Sequence, residues 1–176
     1  MPTTQEQFDR RHRQILVLQQ KIQQNRQKLK QQSQQQKKKD LEYDIQVHSD
    51  RIASLKKMLQ KLETKLKQTG KTQQDLKKHA DDVAIKFWVR ELVSAEKSKD
   101  KVEKQLGQLT QQRNQIIQYY QKQDVPQAIQ INRKIDFNNE ILKISLRRHK
   151  YAHGKLGQRL SEQKIQQAVK QYKASN

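Results

Sequence analysis

There is no cysteine anywhere in the chain. That absence removes disulfides, thiolate metal sites and thiol catalysis together, and it gives no sign of an oxidising compartment. Only four glycines and two prolines occur in 176 residues, so little in the chain breaks a helix. Aromatic residues are 5% of the total, with one Trp, too few for a base-stacking platform. No segment approaches the roughly 20 apolar residues of a membrane span, and Met1-Pro2-Thr3-Thr4-Gln5-Glu6 lacks the apolar core of a signal peptide. The expectation is an intracellular, cytoplasmic protein, not secreted by a signal peptide and without a membrane partner.

Apolar residues are also scarce, at 32%. Leu, Ile, Val and Phe number 40 of 176, just above the level of about 20% at which a highly charged chain is expected to stay disordered. Such a chain folds only by concentrating these residues into stripes. What it has in abundance is Gln, 33 residues, together with Lys, Leu, Glu and Arg, all good helix formers. The fold class follows: all-α.

The clearest stripe is Leu41, Ile45, His48, Ile52, Leu55, Leu59, Leu62 and Leu66, spaced alternately four and three apart. A 3.5-residue repeat keeps one narrow face toward a partner helix and is the seam of a coiled coil. Thr3 with Glu6 fits a capping box, so helix 1 is expected from about 4 to 69. Its early rungs are Phe8, Ile15, Leu18, Ile22 and Leu29. Between Lys30 and Asp40 the segment KQQSQQQKKKD holds no apolar residue, and the 12-residue step from Leu29 to Leu41 loses the phase of the seam. A continuous, weakly packed helix is the first reading of residues 30–40, and a local break or disorder there is the alternative.

Gly70 is placed to end helix 1 in a left-handed cap, and Thr72 with Asp75 repeats the capping signature. Helix 2, about 72–123, would then return with Leu76, Ala80, Val83 and Phe87 facing Leu66, Leu62, Leu59 and Leu55. Asp124 is a candidate N-cap for helix 3, about 126–152, with Pro126 in its first turn. Gly154 and Gly157 are expected to loosen the chain before a short helix, about 158–173. The architecture expected is a single elongated domain over residues 1–176. It is an antiparallel coiled-coil hairpin opening into a three-helix bundle at one end, where helix 3 returns along 98–123 and meets residues 16–40. A short C-terminal helix completes it.

Formal charge is +20, with +7 in residues 1–40 and +7 in 124–176. In that arrangement the two basic ends form one head of charge +14, and a surplus of this size points to a polyanionic partner. The candidate polyanion-binding residues are Arg10, Arg11 and Arg13; Lys37, Lys38 and Lys39; and Arg147, Arg148, Lys150, Lys155 and Arg159. They suit phosphate-backbone contact, a sequence-independent mode. The candidate protein interface is Phe87 and Trp88, because two large rings on adjacent faces are not both covered by one thin helix.

Other motifs lead nowhere. Gly70-Lys71-Thr72 resembles the end of a P-loop, but Lys65 stands where the leading glycine belongs and a helix stands where a strand is needed. His149 and His153 have metal-ligand spacing but sit among cations with no third ligand. His48 is most simply a packed polar rung, and carboxylates such as Asp81, Asp82, Glu91 and Glu96 lie on helix faces among lysines with no pocket to shift them. The expectation is therefore no catalysis, no cofactor, no metal and no small-molecule substrate. It is a nonenzymatic coiled-coil protein that binds nucleic acid or another polyanion, and a protein partner or a second copy through the stalk. The alternative is a stalk, adaptor or scaffold subunit whose positive surface matches an acidic protein.

Overall fold

The computed structural model describes residues 2–31, 35–121 and 125–175, with the side chains of Lys30, Gln31 and Gln36 outside that description. Among the described residues there are five helices and no strand: α1 (Thr4–Gln31), α2 (Gln35–Gln68), α3 (Gln73–Tyr120), α4 (Pro126–Gly157) and α5 (Glu162–Ala174). The chain divides into two compact units, Met1–Phe87 and Trp88–Asn176, with the division inside α3.

The first unit starts on the expected capping box. The Thr3 amide donates to Glu6 Oε2 at 2.7 Å, and the Glu6 amide donates to Thr3 Oγ1 at 3.1 Å, so two orphan donors of the first turn are satisfied. The turn after α2 is also as its residues dictate. Gly70 takes φ +85, a left-handed conformation that glycine adopts without steric penalty. The Lys71 amide reaches back to the Leu66 carbonyl at 3.3 Å. The Asp75 amide donates to Thr72 Oγ1 at 3.1 Å, while the Thr72 hydroxyl and amide donate to Asp75 Oδ2 at 2.6 and 3.0 Å; the hydroxyl bond first and the amide bond second hold the Asp75 carboxyl below the usual carboxylate range.

Residues 4–69 do not form one helix. α1 and α2 are separate and pack on each other, with Phe8, Ile15, Leu55, Leu59, Leu66 and Leu76 buried in one cluster. Leu18, Ile52, Leu62 and Ala80 pack against it. The ladder that opens at Leu41 therefore serves α1 as well as the start of α3. Residues 16–31 run beside α2. The physical reason lies in the apolar count. A straight helix through 30–40 would leave Phe8 and Ile15 without a partner, and folding back places both in the seam. Each such burial is worth about 1.5–3 kcal/mol.

In the second unit α4 runs antiparallel to α3. Trp88 meets Tyr151 edge-on with ring centroids 5.5 Å apart, Glu91 Oε2 accepts from Arg148 Nη2 at 3.1 Å, and the hydroxyls of Ser98 and Ser145 are 3.1 Å apart. Ala95, Ala128, Ser145 and Ala152 are all buried; small side chains at these points let the backbones approach closely. α4 runs on through Gly154 to Gly157, past the expected end near 152, because Leu156 is fully buried. The N-cap position of α4 is Val125, with φ −64 and ψ 133, followed by Pro126; Asp124 lies outside the described residues. α5 begins after Ser161 and folds back, with Ile165 buried, Glu162 beside His153 at 3.1 Å and Lys173 Nζ 2.7 Å from Glu96.

Candidate polyanion-binding surfaces

The folding back of α1 on α2 creates a groove that no local run of sequence contains. Arg10, Arg13 and Gln14 of α1 and Arg51 of α2 rim it, and Val17, Leu18 and Leu55 form its apolar floor, with a volume of about 460 Å³. No carboxylate lines it. Arg10 and Arg51 are exposed and make no side-chain hydrogen bond or ion pair among the described residues, while Arg13 Nε donates to the Asp9 carbonyl at 3.4 Å. The Asp9 carboxylate, one residue before Arg10, is engaged by Gln5 Nε2 at 3.1 Å and by His79. Three guanidiniums thus share one groove with no internal counter-ion, an arrangement suited to phosphate or carboxylate oxygens.

The remaining sequence candidates separate. Arg11 is half-buried and donates to Gln14 Oε1 at 3.2 Å. Lys37, Lys38 and Lys39 are exposed on the first turns of α2, a first turn that carries no acidic residue. By helix rise they lie roughly 25 Å along the α1–α2 pair from Arg11. In the second unit Arg148 is committed to Glu91 at 3.1 Å and half-buried, so it holds α4 to α3. Arg147 and Lys150 are exposed. Lys155 Nζ sits 5.4 Å from the centre of the Tyr151 ring, and Arg159 donates to the Lys155 carbonyl at 3.0 Å.

Of the two residues expected to form a protein interface, Trp88 is 1% exposed. A side chain so enclosed is packing, and the docking reading of its ring is withdrawn; the wide apolar face around it is covered within the fold. Phe87 is half-buried. Arg51 is the functional candidate that sequence reasoning missed. It lies about forty residues from Arg10 and Arg13, and only the fold-back joins them.

One titratable cluster lies beside Phe8, on the side of α1 away from the groove. His12 is half-buried against Phe8, at 5.3 Å between ring centroids, and its Nδ1 is buried with no hydrogen-bond partner. Burial pushes its pKa below the ordinary 6.5, outweighing the carboxylates of Glu63, Asp9 and Asp81, while His79 acts in the same direction as burial. The folded chain therefore prefers neutral His12. Stability is full above the unfolded value of 6.5 and falls as pH drops through the lower folded value, because the unfolded chain then binds the proton more readily. Urea midpoints at pH 7.5 and 5.5 are expected to show this loss, and His12→Gln to reduce it. An unchanged difference in the variant would assign the loss elsewhere.

His149 and His153 stack with centroids 6.3 Å apart, and no group of three potential metal ligands occurs among the described residues. No described helix is long and apolar enough to cross a membrane. Compared with protein-family models, with curated proteins and with solved structures, the chain finds no match in any of the three.

Proposed function

We propose that this chain is a nonenzymatic, intracellular helical adaptor that holds a polyanion, foremost the phosphate backbone of a nucleic acid. The observation that carries the reading is the carboxylate-free groove of Arg10, Arg13 and Arg51. Lys37 to Lys39, Arg147 and Lys150 add exposed positive charge, within a chain of net charge +20. Long guanidinium and ammonium groups from helix surfaces contact phosphates without reading base edges, so the expected binding is sequence-independent and driven by counter-ion release.

The reading is tested by anisotropy titration of fluorescein-labelled single- and double-stranded DNA of mixed sequence at several salt concentrations. Binding at low salt that weakens linearly in log–log form as salt rises is expected, with each phosphate-contacting Arg→Gln change reducing the slope by about 1. Arg10→Glu with Arg51→Glu should weaken binding at least about tenfold, a change of about 1.4 kcal/mol. No retention at low ionic strength would sink the proposal.

A second reading, a scaffold subunit that docks an acidic protein, has one observation in its favour: the groove floor is apolar, formed by Val17, Leu18 and Leu55. A phosphate backbone has no use for that floor, whereas an acidic amphipathic segment does. A labelled peptide alternating Leu and Glu at helical spacing, titrated beside the DNA, separates the two. Binding of the peptide, without binding of DNA, selects the second.

A further inference from the structure

The second unit has a groove of its own between α3 and α4, with a volume of about 420 Å³. Its α3 wall is three glutamines, Gln105, Gln108 and Gln112, around the half-buried Leu109. Its α4 wall is Arg133 and Lys134, with Phe137 and Asn138 one turn further on. No carboxylate among the described residues lines it. Arg133 and Lys134 are exposed, and neither makes a side-chain hydrogen bond or ion pair among the described residues. The acidic residues beside them on α4 do not neutralise the groove. Asp136 stands about 130° round the helix from the middle of the lining stripe, and Glu140 is paired with Lys143 at 2.6 Å.

Phe137 stands at the edge of this groove and is 67% exposed. A lone exposed apolar side chain is ordinary, but this ring shares a groove with two cations that lack a counter-ion and with a row of amides. Arg133 precedes it by four residues and Lys134 by three, spacings that place all three on one helix face, about 5–6 Å apart at Cβ. A nucleotide whose base is free to stack uses all of these groups together. Its phosphates suit the guanidinium and the ammonium, and its base suits the ring. The glutamine amides and the Asn138 carbonyl oxygen can meet donors or acceptors on a base edge, the Asn138 amide nitrogen being engaged by the Lys134 carbonyl at 2.8 Å. An acidic peptide matches the cations but offers the ring no flat π face. A duplex offers none either, because each base face there is covered by its neighbour.

We infer that the α3–α4 groove binds single-stranded nucleic acid, with one unstacked base on Phe137 and the adjoining phosphates on Arg133 and Lys134. The inference rests on the polyanion reading for its class of ligand, but not on the groove of Arg10, Arg13 and Arg51, which lies in the other unit. One ring is no platform for a run of bases, so the site stacks a single base. It tolerates any sequence, because every base has a π face. What it adds is affinity for single strands that exposed cations alone do not supply.

Anisotropy titration of the full chain with a labelled single strand of about 12 nucleotides, beside the duplex of the same mixed sequence, tests the site. Phe137→Ala and Phe137→Leu are each expected to weaken single-strand binding at least about fivefold, with duplex binding and circular dichroism unchanged. Arg133→Gln with Lys134→Gln should lower the single-strand salt slope by about 0.7 per charge removed. Phe137→Trp reads the stacking directly. Trp88 is buried, so quenching of the exposed indole reports the groove, and it is expected with the single strand and not with the duplex or with a Leu–Glu peptide. Arg10→Glu with Arg51→Glu should leave this quenching in place. A ratio of single-strand to duplex affinity that ignores the Phe137 changes would overturn the inference while leaving the polyanion reading intact, whereas no binding of either form at low salt would end both. Quenching by the peptide and not by the single strand would overturn it as well, and would assign the groove to an acidic protein.

Discussion

Trp88→Ala is expected to cost about 3–5 kcal/mol of folding stability, the range for emptying the site of a large aromatic side chain in a core. The ring is 1% exposed and meets Tyr151 of α4 edge-on at 5.5 Å, so the variant loses both buried area and an oriented aromatic contact. For a chain of this length each kcal/mol moves the melting temperature by about 2–4 °C, so a fall of roughly 10 °C should appear in circular dichroism at 222 nm. Trp88→Phe keeps most of the apolar volume and should cost about half as much. A loss below about 1 kcal/mol for the alanine variant would mean that the ring is peripheral. The wild-type emission maximum provides a second check, since a buried indole emits to the blue of an exposed one.

That burial also shows where periodicity misled. Phe87 and Trp88 stand about 100° apart on α3, and sequence spacing alone suggested more apolar surface than one partner helix would cover. The inference of a wide apolar face was sound; its use as a docking site was not. Glycines misled in the other direction. Gly154 and Gly157 each cost about 1 kcal/mol in a helix relative to Ala, yet α4 continues through them because Leu156 becomes fully buried. Where the deciding interactions were three or four residues apart, the reading succeeded. The Thr3–Glu6 and Thr72–Asp75 boxes and the Gly70 cap are all local hydrogen-bond patterns, and they mark helix ends that the structure places close to expectation.

The basic candidates divide for a related reason. Arg147 and Arg148 look equivalent as a pair in the sequence, but adjacent residues on a helix point about 100° apart. Arg148 turns inward to Glu91, while Arg147 is exposed. Arg10 and Arg11 divide in the same manner, the first on the groove rim and the second half-buried beside Gln14. A cluster counted along the chain is thus halved by facing. The groove then regains a cation that no count included, Arg51, through a contact that only tertiary structure makes. Of all the errors the uninterrupted helix over 4–69 matters most, since it hid that groove. Gln and Lys favour helix, and no Gly or Pro marks a turn in residues 30–40, so propensity argued for continuity. The lost phase between Leu29 and Leu41 was the one sequence signal against it.

Phe8→Ala tests the fold-back directly and is expected to cost about 3–5 kcal/mol. Phe8 is 1% exposed in the cluster with Leu55, Leu66 and Leu76, and its ring lies 6.2 Å from that of His79 on α3. Truncation opens a cavity where α1, α2 and the start of α3 converge, and amide exchange should accelerate along α1. The decisive measurement is a double-mutant cycle with Leu66→Ala. In one straight helix the 58 residues between these positions would separate them by roughly 87 Å, and their effects would simply add. Packed in one cluster, they share neighbours, and the cycle should return a coupling of about 0.5–3 kcal/mol. A coupling of zero, with both single variants still folded, would restore the continuous helix and remove Arg51 from the groove. A clear coupling fixes α1 against α2, and with it the three arginines that the groove depends on.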